Sequence, residues 1–167
     1  MKYNSAQAAK LLSKLQQDYD RLVVLEANAK TFLASVGEDP ETVRPEYDYE
    51  ATKKELGVLA AKIRKVKHAI NAFNTTTVVP EFGITIDEIL VYIPQLSARK
   101  AKLREMADTL PKARENSYGK SNIIDYRYVN YDIKQVKADL DAVTEELSKA
   151  QLALDTINHS VEFDITI

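Results

Sequence analysis

Cysteine and tryptophan are absent from this chain of 167 residues, and it has few glycines (4), few prolines (5), two histidines and two methionines. Without cysteine there are no disulfides, no thiol nucleophile and no thiolate metal site. So little glycine leaves scant material for a loop that wraps a phosphate, and the sequence carries no Gly-x-x-x-x-Gly-Lys, Gly-x-Ser-x-Gly or His-Glu-x-x-His pattern. No run approaches the roughly 18 consecutive apolar residues that a transmembrane helix needs. Charge of one sign is lacking too: 23 basic against 25 acidic side chains leave a net charge of -2, which draws in neither a polyanion nor an acidic membrane. Met1-Lys2-Tyr3-Asn4-Ser5 leads straight into an amphipathic pattern without the apolar stretch of a secretory signal, so a cytoplasmic protein is expected.

What the chain has instead is hydrophobic spacing of three and four. Ile133, Val136, Leu140, Val143, Leu147, Ala150, Leu154, Ile157 and Val161 draw one apolar seam along a long helix, the geometry by which helices pack in bundles and coiled coils. Three earlier segments keep the same spacing. The first carries Ala8, Leu12, Leu15, Tyr19, Leu22, Ala29, Leu33 and Val36, interrupted by a charged Glu26. The second carries Leu56, Leu59, Ile63, Val66, Ile70 and Phe73, and the third Ile86, Ile89, Ile93, Leu96, Lys100, Leu103, Ala107 and Leu110. Helices are therefore predicted over about 5–36, 48–73, 86–110 and 132–158. Gly37-Glu38-Asp39-Pro40 and Pro45 reverse the chain between the first two, predicting an antiparallel hairpin.

Thr85-Ile86-Asp87-Glu88 has the form of a capping box, with Ile84 and Ile89 at the hydrophobic-staple positions, and marks the start of the third helix. Pro94 inside that helix predicts a kink or a broken first turn. Asp132 to Gln135 fits a second capping box, with Tyr131 and Val136 as its staple. Residues 75–79, 122–129 and 161–167 are rich in β-branched and aromatic side chains and predict short strands that pair together at one end of the helices. The fold class is thus mainly α: a single domain over 1–167, with four long amphipathic helices in antiparallel coiled-coil hairpins and a small β element.

Candidate sites are few. His68 and His159 are expected as surface imidazoles, and no metal or cofactor is called for. The acidic pairs Asp18/Asp20, Asp139/Asp141 and Glu145/Glu146 are one or two residues apart on helices, so they diverge and read as solvated faces. The segment around 112–128 mixes Lys112, Arg114, Lys120 and Arg127 with Tyr118, Tyr126 and Tyr128, the combination that binds single-stranded nucleic acid by stacking and phosphate neutralisation. The acidic residues beside it favour a loop and strand whose tyrosines cover a helix face. Asn28, Asn71, Asn74 and Asn158 near helix ends form a candidate polar cluster, or else cap those ends in left-handed backbone.

The order of several short motifs also resembles a known family. Glu26-Ala27-Asn28-Ala29-Lys30, Ile70-Asn71-Ala72-Phe73-Asn74-Thr75, Gly83-Ile84-Thr85-Ile86-Asp87-Glu88, Leu103-Arg104-Glu105-Met106-Ala107-Asp108, Tyr131-Asp132-Ile133 and Leu154-Asp155-Thr156-Ile157-Asn158 together resemble a family of small bacterial coiled-coil proteins labelled septicolysin or uncharacterised. The likeness runs from about residue 21 to 163 and departs from the family at His159, where other members tend to have tryptophan. It implies a helical, coiled-coil fold with no active site to carry over, and its label implies a membrane-active cytolysin. The function expected from the residues is a non-catalytic helical scaffold that meets a protein partner or a second copy of itself, most simply as a homodimer. A cytolysin and a single-strand binder are the alternatives, and neither membrane nor nucleic acid is the expected partner.

Overall fold

The computed structural model describes residues 1–115 and 124–167 and is mainly helical, with short antiparallel strand pairs. In chain order the elements are β1 (Lys2–Asn4), α1 (Ser5–Ala29), α2 (Pro40–Val43), α3 (Tyr49–Thr76), β2 (Val78–Val79), β3 (Ile84–Thr85), α4 (Ile86–Asp108), β4 (Lys112–Glu115), β5 (Asp125–Tyr128), α5 (Ile133–Ser160) and β6 (Glu162–Asp164). They form two compact units, Met1–Thr76 with Ile157–Ile167, and Thr77–Thr156.

In the first unit α1 packs on α3. Ala8, Leu15, Val66 and Ile165 are its buried centre, with Leu11, Leu12, Ile63 and Ile70 against them. Toward the other end, Leu22 and Leu25 share a groove with Glu55 and Leu59. Rising numbers in α1 therefore meet falling numbers in α3, and the pair is antiparallel. Asn4 starts α1 with a capping box: its side chain accepts from the Gln7 amide, and the Gln7 side chain accepts from the Asn4 amide. β1 pairs with β6 in the register Tyr3 to Phe163, and the ring of Phe163 stacks on Phe73 with centroids 4.3 Å apart.

The α1 seam holds from Ala8 to Ala29, but the helix ends at Ala29 and not near Val36. Leu33 and Val36, both expected on the seam, are exposed. The tight turn from Ser35 to Glu38, closed through Gly37 at φ +90°, takes the backbone groups that a further turn of helix would use. With no packed partner for Leu33, the β-branched and small residues of this stretch have no reason to stay helical.

The second unit is built on α4 and α5. The Tyr92 hydroxyl donates to the Glu146 carboxylate, and the Tyr131 hydroxyl donates to the Met106 carbonyl at 2.8 Å, so these helices too run antiparallel. Ile86, Ile89, Leu96 and Leu103 on α4, and Val136, Val143, Leu147 and Ala150 on α5, are buried as the three-four spacing requires. Leu110 lies past the end of α4 and is exposed. α5 passes from the second unit into the first at Thr156/Ile157.

Helix starts and interruptions depart from expectation in two places. α4 runs unbroken through Pro94. The carbonyl of Leu90, which the proline leaves without a donor, belongs to an exposed turn where water can replace it. At the start of α5 only half of the expected box forms: Asp132 accepts from the Lys134 and Gln135 amides, while the Gln135 side chain donates to Asp139 one turn on.

The strands are shorter and paired differently than expected. Thr75 and Thr76 belong to α3, their hydroxyls donating to carbonyls of Asn71 and Ala72, so β2 is only Val78–Val79. β2, β5 and β6 do not pair with one another; each pairs with a strand missed by the periodicity, respectively β3, β4 and β1. Two- and three-residue strands are too short to show a period. Gly83, at φ +66°, makes the β2–β3 turn that delivers the chain to α4.

Candidate functional site

The β4–β5 ribbon carries the described part of the predicted interaction segment; Tyr118 and Lys120 lie outside the described residues. Lys112 pairs in register with Tyr128, and Arg114 with Tyr126. The ammonium of Lys112 lies 4.0 Å from the centre of the Tyr126 ring and 5.4 Å from that of Tyr128. Arg127 is held by Glu115 at 2.8 Å, which raises the guanidinium's pKa and holds the carboxyl below its usual range. Two of the three described cations are thus engaged within the ribbon. Tyr126 and Tyr128 are exposed, so they do not cover a helix face as expected; they shelter Lys112.

The asparagines are not one cluster. Asn28 is next to last in α1, whereas Asn71 and Asn74 lie near the C-terminus of α3, and antiparallel packing puts these at opposite ends of the hairpin. Asn71, Asn74 and Asn158 all precede further helical residues, and no described non-glycine residue has positive φ, so none makes the left-handed cap. His68 borders a groove with Phe73 and Phe163, and the backbone carbonyl of His159 accepts from Asn4 Nδ2 at 3.1 Å. Among the described residues no group of three or more His, Asp or Glu is arranged to hold a metal ion.

Sequence reasoning missed a pocket of about 760 Å³ in the second unit, beside the first turns of α4. Phe82 and Ile84 reach it from the β2–β3 turn, Val91 and Tyr92 from α4, and Glu146 from α5. The rings of Phe82 and Tyr92 meet edge to face at 6.4 Å. The hydrogen bond to Glu146 stabilises the protonated phenol and raises the pKa of Tyr92. Glu81, Asp87 and Glu88 add carboxylates to the lining. Glu88 is occupied locally, accepting from the Thr85 amide at 2.7 Å and its hydroxyl at 2.9 Å, which lowers its pKa. The predicted capping box is formed in full. In sequence, only the spacing of Phe82 and Tyr92 around a helix start hints at the pocket; Glu146 arrives from a helix 54 residues away.

A family model matches residues 33–163, more than three quarters of the chain. The chain belongs to the family of unknown function DUF6847. The match spans α2 to β6, so both units contain family residues. A functionally unknown conserved protein from Corynebacterium diphtheriae, known from its crystal structure, is similar in fold: TM-score 0.60 at 20% identity, covering 98% of this chain and all of that one. No curated protein matches the sequence. Among the described residues, no helix is long and apolar enough to cross a membrane.

Proposed function

We propose that this DUF6847 protein is a non-catalytic scaffold whose helical hairpins are coiled-coil segments, and that its first partner is a second copy of itself. The observation that carries the reading is apolar surface in one half of the α1/α3 hairpin. Val24 and Leu25 near the end of α1 are more than half exposed, Leu33 and Val36 beyond it are almost wholly so, and Tyr49 and Val58 on the facing half of α3 are also exposed. Several large apolar side chains left in water in one region mark a contact surface. A net charge of -2 does not oppose self-association, and a symmetric dimer lets one patch cover its own copy.

Four carboxylates that serve the fold support the non-catalytic part. Glu26 accepts from Tyr47, Glu88 closes a helix cap, Glu115 holds Arg127 and Glu145 holds Lys149. Sedimentation equilibrium tests the proposal: a mass twice that of the chain supports it, and a monomer at all concentrations contradicts it. The septicolysin resemblance supplies a second reading for the same surface, insertion into a lipid interface. Leakage of dye from liposomes in the presence of the protein would favour that reading over the homodimer.

A further inference from the structure

The pocket beside α4 combines features that ask for one kind of ligand. Its volume, about 760 Å³, falls in the range of small-molecule sites. Its apolar lining comes from Ile84, Val91 and the two aromatic rings. The groups that could recognise a polar ligand are mostly acceptors: Glu81, Asp87 and Glu146 form no ion pair within 4 Å among the described residues, and the Gln95 amide adds a donor. A neutral ligand rich in carbonyls would find few donors there. An anion would ordinarily be drawn to a helix N-terminus, but this one is closed by Thr85 and Glu88 and carries Asp87 in its first turn.

Lys149 on α5 is held by Glu145 at 2.7 Å and also feels the charge of Glu81, while neither Glu81 nor Glu146 has a cation within 4 Å among the described residues. The Tyr92 hydroxyl donates to the Glu146 carboxylate, so a carboxylate and an aromatic ring lie together in the lining, and a protonated amine is attracted to both. We propose that this pocket binds an alkylammonium group on an apolar stem, carried either by a free diamine or by a lysine side chain of another protein. The stem lies along Ile84, Val91 and the rings, and the ammonium meets Glu81 and Glu146, with Asp87 a further carboxylate of the lining.

Isothermal titration of the full chain with cadaverine, with N-acetyl-lysine amide and with the neutral diol of matching length tests the assignment. Saturable binding of either amine, with the diol much weaker, is the expected result; the preferred amine distinguishes the free metabolite from the protein-borne lysine. Glu81→Gln with Glu146→Gln, which leaves Tyr92 an acceptor, should weaken amine binding at least about tenfold, the factor that corresponds to roughly 1.4 kcal/mol. Asp87→Asn alone should weaken it by a smaller factor and serves if the double variant does not fold. Glu55→Gln, in the groove of the first unit, should leave binding unchanged. Absence of saturable amine binding, equal binding of the diol, or equal loss in Glu55→Gln would overturn the proposal.

Discussion

The Tyr47 hydroxyl donates a 2.7 Å hydrogen bond to the Glu26 carboxylate across the break between α1 and α3. Glu26 is the one charged residue on the α1 seam, and this bond explains its presence: the carboxylate meets a phenol where the other seam positions meet hydrocarbon. The same bond holds the phenol's proton and pushes the Tyr47 pKa up to about 12, with the negative charge of Glu26 adding to it.

A pH dependence follows with a definite sign. Tyr47 has its pKa raised on folding, so its contribution to stability is complete below the ordinary tyrosine value near 10 and is lost as pH rises through about 12. In an ultraviolet titration of the nine tyrosines, Tyr47 and Tyr92 should ionise late. Tyr47→Phe should remove one late step and lower the melting temperature at neutral pH. A titration unchanged by the substitution would show that the bond is not made.

The α4 cap gives an acid-side counterpart. Thr85→Ala should destabilise the protein by about 1 kcal/mol, the usual effect of losing an N-cap. Because Thr85 holds the Glu88 carboxyl below its usual range, the associated stability is present above the ordinary carboxyl pKa and fades as pH falls through the lowered one. Thermal melts of Thr85→Ala, Glu88→Gln and the double variant should show non-additivity, and strict additivity would contradict the reciprocal bonds.

Along α5 the seam makes opposite predictions for two leucines five residues apart. Leu147 is 8% exposed and Leu152 is 69% exposed. Leu147→Asp buries an unpaired charge and should unfold the protein or cost several kcal/mol, about 3 or more. Leu152→Asp should stay within about 0.5 kcal/mol. Chemical denaturation of the two variants decides whether the face is assigned correctly.

For the ribbon, wild-type protein should not bind short single strands even at low salt, where attraction to phosphate is strongest. Lys112 is placed on Tyr126 and Tyr128, and Arg127 is neutralised by Glu115, so two of the three described cations that would meet a phosphate are engaged. Fluorescence anisotropy with a labelled oligonucleotide checks this. Salt-dependent binding that falls in Lys112→Ala would reverse the reading.

What the sequence disclosed were the features encoded within a few residues of one another. The seams of α3, α4 and α5, and the Thr85–Glu88 cap, depend on spacings of three and four, and they stand where that spacing puts them except at Leu110 and Val161, which lie past the helix ends and are exposed. The end of α1 was not legible, because Leu33 and Val36 continue the pattern while lacking a partner to pack on, which only the fold can reveal. Pro94 was read as a kink or a broken first turn because local chemistry disfavours it, yet α4 continues through it, where an exposed turn leaves the Leu90 carbonyl open to solvent. The pairing of Tyr3 with Phe163, the bond from Tyr47 to Glu26 and the arrival of Glu146 beside Tyr92 all join residues far apart in the chain. Periodicity carries no information about such meetings.

The central claim is that exposed apolar residues in one half of the α1/α3 hairpin join two copies of the chain. Sedimentation equilibrium of the wild type beside a Leu25→Asp, Leu33→Asp variant tests it most directly, with circular dichroism to establish that the variant keeps its helices. The account predicts a dimer for the wild type and a folded monomer for the variant. A wild type that stays monomeric throughout the concentration range, or a variant that dimerises as well as the wild type, would contradict it.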